Sequence, residues 1–85
     1  MYLFKVDTYE KYFNKLPPSV KIKAAKMIET LKNSYLISTL MLSPLKNRDD
    51  TYKCRIDDDY FFALLLDGQF WMLLFVGNNE KDIAG

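Results

Sequence analysis

The spacing of apolar residues predicts a strand and then a helix at the start of the chain. Tyr2–Val6 is a short β-prone run. The next apolar residues recur at i, i+3, i+4 and i+7, which places them on one face of a helix: Tyr9, Tyr12, Phe13 and Leu16. Asp7 and Glu10 have the spacing of a capping box at its start, and Pro17 ends it.

A second helix follows directly. Pro18 suits its first turn, where the missing N–H removes no hydrogen bond. At about 100° per residue one face collects Val20, Ala24, Met27, Ile28, Leu31 and Tyr35. The pattern predicts a helical hairpin. For the apolar stretch Leu36–Leu45 we expect a helical extension and then a buried loop, because Pro44 blocks further helix. The polar stretch Lys46–Thr51 predicts an exposed loop.

The apolar period then changes to two, which is typical of strands. The first predicted strand is Tyr52–Ile56, followed by a turn at Asp57–Asp59. Tyr60–Leu66 and Gln69–Val76 flank Asp67-Gly68, the two-residue signature of a type I′ hairpin. We therefore predict one α+β domain, residues 1–85, in which a short first strand and a two-helix hairpin pack on a three-stranded antiparallel sheet, in the order β-α-α-β-β-β.

Both faces of the last two strands are apolar. Strict alternation gives each strand two apolar faces. In the first strand one face has Tyr60, Phe62, Leu64 and Leu66, and the other has Phe61, Ala63 and Leu65. In the second strand one face has Phe70, Met72, Leu74 and Val76, and the other has Trp71, Leu73 and Phe75. Two consecutive helices most easily cover one face. The second face must be covered by Leu36–Leu45, by a second copy in a homodimer, or by a partner chain, and the sequence leaves these alternatives open.

Composition agrees with a small cytoplasmic domain. Its 49% hydrophobic and 15% aromatic content can supply a core for 85 residues. Cys54 is the single cysteine, which fits a reducing compartment. No signal peptide and no membrane-spanning apolar run are present, so no membrane partner is expected.

The net charge of +1 argues against binding nucleic acid by bulk electrostatics. Eleven of the twelve basic residues lie before residue 57, and six of the eleven acidic residues lie after residue 56.

Several kinds of chemistry are excluded by residue type. The chain has no His, which excludes His general bases, His-ligated zinc and a Ser-His-Asp triad. Three glycines form neither a P-loop nor a dinucleotide fingerprint. Asp57–Asp59 lacks the spacing of a calcium loop and is interpreted as a solvated turn. We expect no metal and no cofactor.

Basic residues around the first sheet strand are the remaining candidates. Lys46, Arg48, Lys53 and Arg55 would meet at one end of the sheet. Together they could hold a phosphate, with Arg as a fork and Lys as a point charge. The alternative is a set of ordinary solvated cations beside three aspartates.

The order of these elements resembles the RelE/ParE superfamily of toxins from toxin–antitoxin modules. The residues that carry the resemblance are Phe13-x-x-Leu16-Pro17, Leu45-Lys46, Tyr52-Lys53-Cys54-Arg55-Ile56, Tyr60 and Phe75-Val76-Gly77. RelE-like members enter the ribosomal A site and cleave mRNA without metal or His, through attack of a 2′-hydroxyl on the adjacent phosphate. The resemblance implies Arg55 and Lys46 as catalytic residues and Arg48 as a binding residue. Lys53, from the group of cations described above, and Lys81 are the further candidate binding residues.

The chain also departs from the family pattern. Asn79 stands where the family usually has Arg, and Ile83-Ala84 where a Tyr is common. Tyr60-Phe61 replaces Tyr-Arg, and Lys81 is the candidate to replace the missing Arg. Three functions stay open: a ribosome-dependent mRNA endonuclease, a ParE-like toxin that poisons DNA gyrase, and a non-catalytic binding module. All three imply a protein partner, and for a toxin this is a cognate antitoxin.

Overall fold

A computed structural model of the chain describes residues 2–33, 42–46 and 48–83. Within them the elements are β1 (Tyr2–Lys5), α1 (Tyr9–Asn14), α2 (Pro18–Lys32), β2 (Leu42–Pro44), β3 (Thr51–Arg55), β4 (Phe61–Asp67), β5 (Phe70–Gly77) and a 3₁₀ helix (Glu80–Asp82). The α+β class and the helical hairpin packed on a sheet are confirmed. No helix among these residues is long and apolar enough to span a membrane.

The five strands form one sheet in the order β1-β5-β4-β3-β2. The predicted antiparallel meander of β3, β4 and β5 is confirmed, and β1 adds to it parallel to β5. The buried loop expected before Leu45 is wrong for Leu42–Pro44, which pair with β3 as an edge strand. An edge strand tolerates Pro44 because one side of its backbone needs no partner. Tyr35 and the helical extension expected from Leu36 lie outside the described residues.

The helix starts match the prediction in one case only. Pro18 occupies the first turn of α2, directly after Pro17. The predicted capping box of Asp7 and Glu10 at the start of α1 is wrong. The residue directly before the helix is Thr8, which has a helical conformation and makes no side-chain cap. Glu10 instead pairs with Lys5, with 3.6 Å between the carboxylate and the ammonium nitrogen.

The hairpin between β4 and β5 turns one residue later than predicted. Asp67 pairs with Phe70, so the loop is Gly68–Gln69. Gly68 has φ of +62°, and Gln69 does not have a positive φ. A positive φ at the first central residue alone fits a type II′ turn, whereas type I′ needs two.

A β-bulge changes the faces of β5 near its end. Ala63 pairs with Phe75, but the next residue of β4, Leu64, pairs with Leu73. Leu74 is therefore an extra residue, and it breaks the alternation. The prediction that Phe75 shares a face with Leu73 is wrong: Phe75 packs on the opposite face, and Val76 packs toward the helices.

Two apolar clusters cover the two faces of the sheet. The larger cluster joins both helices to one face, with Phe62, Leu64 and Leu73 at its centre. The opposite face, named here the open face, has a smaller cluster of Leu45, Phe61, Ala63, Phe75 and Ile83 at one end. The chain thus covers this part of its second face itself. At the other end the aromatic side chains of Tyr2, Phe4 and Phe70 are 65%, 48% and 45% exposed.

Candidate functional site

A pocket of about 540 Å³ lies on the open face, beside β2 and β3. The side chains of Lys46, Lys53 and Arg55 line it, so the structure brings three of the five predicted cations together. The other lining residues are Ser43, Pro44, Leu45, Asp57, Asp58, Asp59, Tyr60, Phe61, Asn78 and Glu80. The strand pairing explains this grouping, because Lys53 pairs with Ala63 and Arg55 with Phe61 on the same face.

Arg55 lies at the end of β3 and faces the aspartate loop. Its Nη2 atom is 3.5 Å from the Asp58 carboxylate and 3.5 Å from the Asp58 carbonyl oxygen. Both groups are exposed, so the ion pair is weak and the guanidinium can exchange partners. Arg55 therefore presents an exposed guanidinium group to the pocket.

Lys53 lies deeper in the pocket and has two partners. Its Nζ atom is 3.2 Å from a carboxylate oxygen of Glu80. The same atom stands 4.4 Å from the centroid of the Phe61 ring, a cation–π distance. Lys53 therefore stands between an aromatic ring and a carboxylate.

The remaining predicted cations have different positions. Lys46 lines the pocket and has no ion pair within the described ranges. Arg48 and Lys81 are not part of the pocket wall. Arg48 donates a hydrogen bond of 3.2 Å to the carbonyl oxygen of Ile83. Lys81 is exposed in the 3₁₀ helix, where its backbone N–H donates to the Asn79 side chain.

The charge of the pocket is mixed. Its wall contains three cations but four carboxylates, those of Asp57, Asp58, Asp59 and Glu80. The first of these is held in place by the loop, since the backbone N–H groups of Asp59 and Tyr60 donate to it and lower its pKa. The basic first part of the sequence and the acidic second part thus meet in one site. Among the described residues, no cluster of three or more acidic or cysteine side chains could hold a metal ion.

Sequence reasoning missed Glu80 and Asn78. Glu80 is separated from Lys53 by 27 positions, and no motif connects the two. Asn78 and Tyr60 also line a second pocket of about 460 Å³, bounded by Tyr12 and Phe75. The two pockets therefore share a wall at the end of β5.

No family model and no curated protein sequence matches this chain. Solved structures do match its fold. One chain of the RelB–RelE antitoxin–toxin complex from Methanococcus jannaschii superposes with a TM-score of 0.76 at 19% identity, over 92% of each chain. The chain has the RelE/ParE toxin fold. YafQ from Escherichia coli matches with a TM-score of 0.72 at 11% identity, over 93% of each chain. The YoeB/ParE toxin from Agrobacterium tumefaciens gives 0.68 at 14% identity, over 93% of this chain and 99% of that one.

The RelE/ParE fold accounts for the order of elements. At these sequence identities the similarity shows the fold alone. Several other matches are also RelB–RelE complexes. The match covers the pocket strands β3, β4 and β5 as well as the helices, because it extends over more than nine-tenths of the chain.

Proposed function

We propose that this chain is the toxin component of a type II toxin–antitoxin module. The observation that carries the proposal is the fold, which toxin structures of the RelE, YafQ and YoeB/ParE types match along almost the whole chain. Four of the matched structures are toxin–antitoxin complexes, and the proposed partner of this chain is likewise a cognate antitoxin.

The exposed aromatic residues of the open face are the proposed antitoxin surface. Tyr2 and Phe4 each contact Phe70, with ring centroids 5.9 and 5.4 Å apart. A disordered antitoxin segment that folds on binding can place apolar side chains on such a patch. Phe70→Ser should weaken capture of a candidate antitoxin, taken as the product of a small open reading frame next to this gene. Ile22→Ser is the matched control, because Ile22 is 59% exposed on α2. Equal capture by both variants would reject this surface.

Cleavage of mRNA is the first proposed activity. In this reaction a 2′-hydroxyl oxygen attacks the adjacent phosphorus, and the 5′-oxygen leaves. Arg55 would stabilise the charge that develops on the phosphate, since a guanidinium stays protonated and can donate two parallel hydrogen bonds. Lys46 would hold the backbone as a point charge. The support is their common position in the pocket wall.

Gyrase poisoning or non-catalytic binding is the second candidate. The observation in its favour is the pocket charge, because Arg55 faces Asp58 and Lys53 faces Glu80. Neither of these functions requires the cations to contact RNA. A chain of this kind would act through its surfaces, and its pocket variants would remain active.

Inducible expression in a bacterial host, without antitoxin, tests the proposal. Growth arrest is expected, and co-expression of the antitoxin should relieve it. Harmless expression of folded protein would overturn the toxin assignment. Mapping of RNA ends should show cuts in translated messages, and Arg55→Ala should reduce cutting by roughly 100-fold or more. Lys26→Ala, which removes an exposed cation from α2, should leave cutting unchanged. Arrest with intact message and gyrase-linked DNA breaks would favour the second candidate.

A further inference from the structure

Residues 78–83, named here the end segment, fold back across the open face. The side chain of Ile83 is buried with Phe61 and Phe75 in the smaller apolar cluster. Tyr12 of α1 donates a hydrogen bond of 3.2 Å to the carbonyl oxygen of Asp82. Arg48 donates one of the same length to the carbonyl oxygen of Ile83. The end segment is thus attached at several points, independently of its charged side chains.

Glu80 is the residue of the end segment that enters the cationic pocket. Its carboxylate lies 3.2 Å from the Lys53 ammonium group, which in turn lies over the Phe61 ring. The Asn79 side chain accepts the backbone N–H of Lys81 and caps the 3₁₀ helix that presents Glu80. An anionic oxygen at hydrogen-bond distance from Lys53 is the arrangement that a bound phosphate would also adopt.

We infer that Lys53 forms a phosphate subsite and that the carboxylate of Glu80 occupies this subsite in the free chain. The inference rests on the proposed RNA-binding function of the pocket and adds a regulating residue to it. RNA must displace Glu80 before its phosphate reaches Lys53. A backbone phosphate also meets the repulsion of this fourth carboxylate in the pocket wall.

Displacement does not require the end segment to unfold. The Lys53 and Glu80 side chains are 32% and 52% exposed, so their ion pair is screened and weak. Ile83 and the bonds to its neighbours hold the segment in either case. Loss of the Glu80 charge should therefore leave the fold intact and change only the charge at Lys53.

The test compares the wild type with five variants in low-salt anisotropy titrations of a fluorescein-labelled single-stranded RNA of about eight nucleotides; the fifth variant, Lys46→Ala, reports on the pocket as a whole. Glu80→Gln keeps the shape of the side chain and removes its charge. Its Kd should fall by about two- to fivefold, the range of an exposed ion pair. Glu29→Gln removes one exposed carboxylate from α2 and should bind as the wild type does. Lys53→Ala and the double variant Glu80→Gln/Lys53→Ala should bind equally, because the gain needs the lysine.

Each other outcome overturns the inference. Equal binding by Glu80→Gln and Glu29→Gln, with weaker binding by Lys46→Ala, would reject the Glu80 role and keep the pocket as an RNA site. A Glu80→Gln gain that persists in the double variant would show that the charge acts elsewhere than at Lys53. If no variant binds the RNA, both the inference and the proposed mRNA cleavage fail. Urea titrations should show that every variant is folded under the binding conditions, which excludes unfolding as the cause.

Discussion

The hydroxyl group of Tyr9 is the most direct target for a stability test. The side chain is fully buried at the start of α1, and its hydroxyl has no hydrogen-bond partner in the part of the chain that the structure describes. The Tyr9 ring still packs well. Its centroid lies 6.0 Å from the centroid of the Phe13 ring and 5.7 Å from the Lys5 ammonium nitrogen. The ring thus stabilises the core while the oxygen opposes burial.

Tyr9→Phe removes the oxygen and keeps the ring. A buried polar group without a partner costs about 1–3 kcal/mol. We expect the variant to be more stable by about 1 kcal/mol, the lower end of that range. For a domain of this size the gain corresponds to a melting temperature roughly 4–8 °C higher.

Urea unfolding followed by Trp71 fluorescence measures the change. The midpoint should rise at constant m-value, since the surface exposed on unfolding is the same. Tyr12→Phe is the control: it removes a hydroxyl that donates to the Asp82 carbonyl oxygen, so it should not stabilise. A Tyr9→Phe variant less stable than the wild type would refute the reasoning, because the hydroxyl would then have a favourable partner.

The pH dependence gives a second measurement on the same pair of proteins. Burial, and to a smaller extent the charge of Glu10, raises the pKa of Tyr9 above its ordinary value of 10.0. As the pH rises, the unfolded chain therefore loses this proton before the folded chain does. The free energy of unfolding of the wild type consequently falls as the pH rises above about 10. Tyr9→Phe has no such proton. Its advantage over the wild type should widen above pH 10, and a constant difference would contradict the raised pKa.

Three further changes test other parts of the structure. Gly77→Ala places a Cβ atom 2.5 Å from Cζ of Phe75 and should destabilise by about 1–3 kcal/mol in urea titrations, whereas an unchanged midpoint would contradict this packing. Cys54 is buried and its pKa is raised to about 11, so a thiol reagent at pH 8 should react slowly with the folded chain and fast in denaturant. Backbone hydrogen bonds, of which the one from Asp59 has the largest effect, lower the pKa of Asp57. The ionised carboxylate therefore stabilises the folded chain above the unfolded pKa near 3.8, and this stabilisation is lost as the pH falls through the lower pKa of the folded chain. Asp57→Asn should therefore lose less stability than the wild type on acidification, and parallel acid curves would reject the shift.

The elements that the sequence predicted well are those with a long repeated pattern. In α2, four residues of the predicted face are buried, because a 15-residue helix has one orientation that covers all of them. The strands β3 to β5 were predictable because apolar runs of strand length alternate with turn residues in this part of the chain. Details that depend on one residue were not predictable, such as the hairpin loop at Gly68–Gln69 and the bulge at Leu74. Their geometry depends on how two strands pair, which the pattern of either strand alone does not contain.

The candidate site shows how such a detail affects chemistry. The bulge at Leu74 turns the ring of Phe75 to the open face, where it packs in the same cluster as Ile83. This packing holds the end segment over the sheet, and the end segment brings Glu80 to Lys53. The cations could be predicted as a group from β3 and the preceding loop, since they are close along the chain. Their pairing could not, because it depends on contacts across the sheet between residues far apart in sequence. One extra residue in β5 thus contributes, through the packing of Phe75 and Ile83, to the placement of Glu80 beside Lys53.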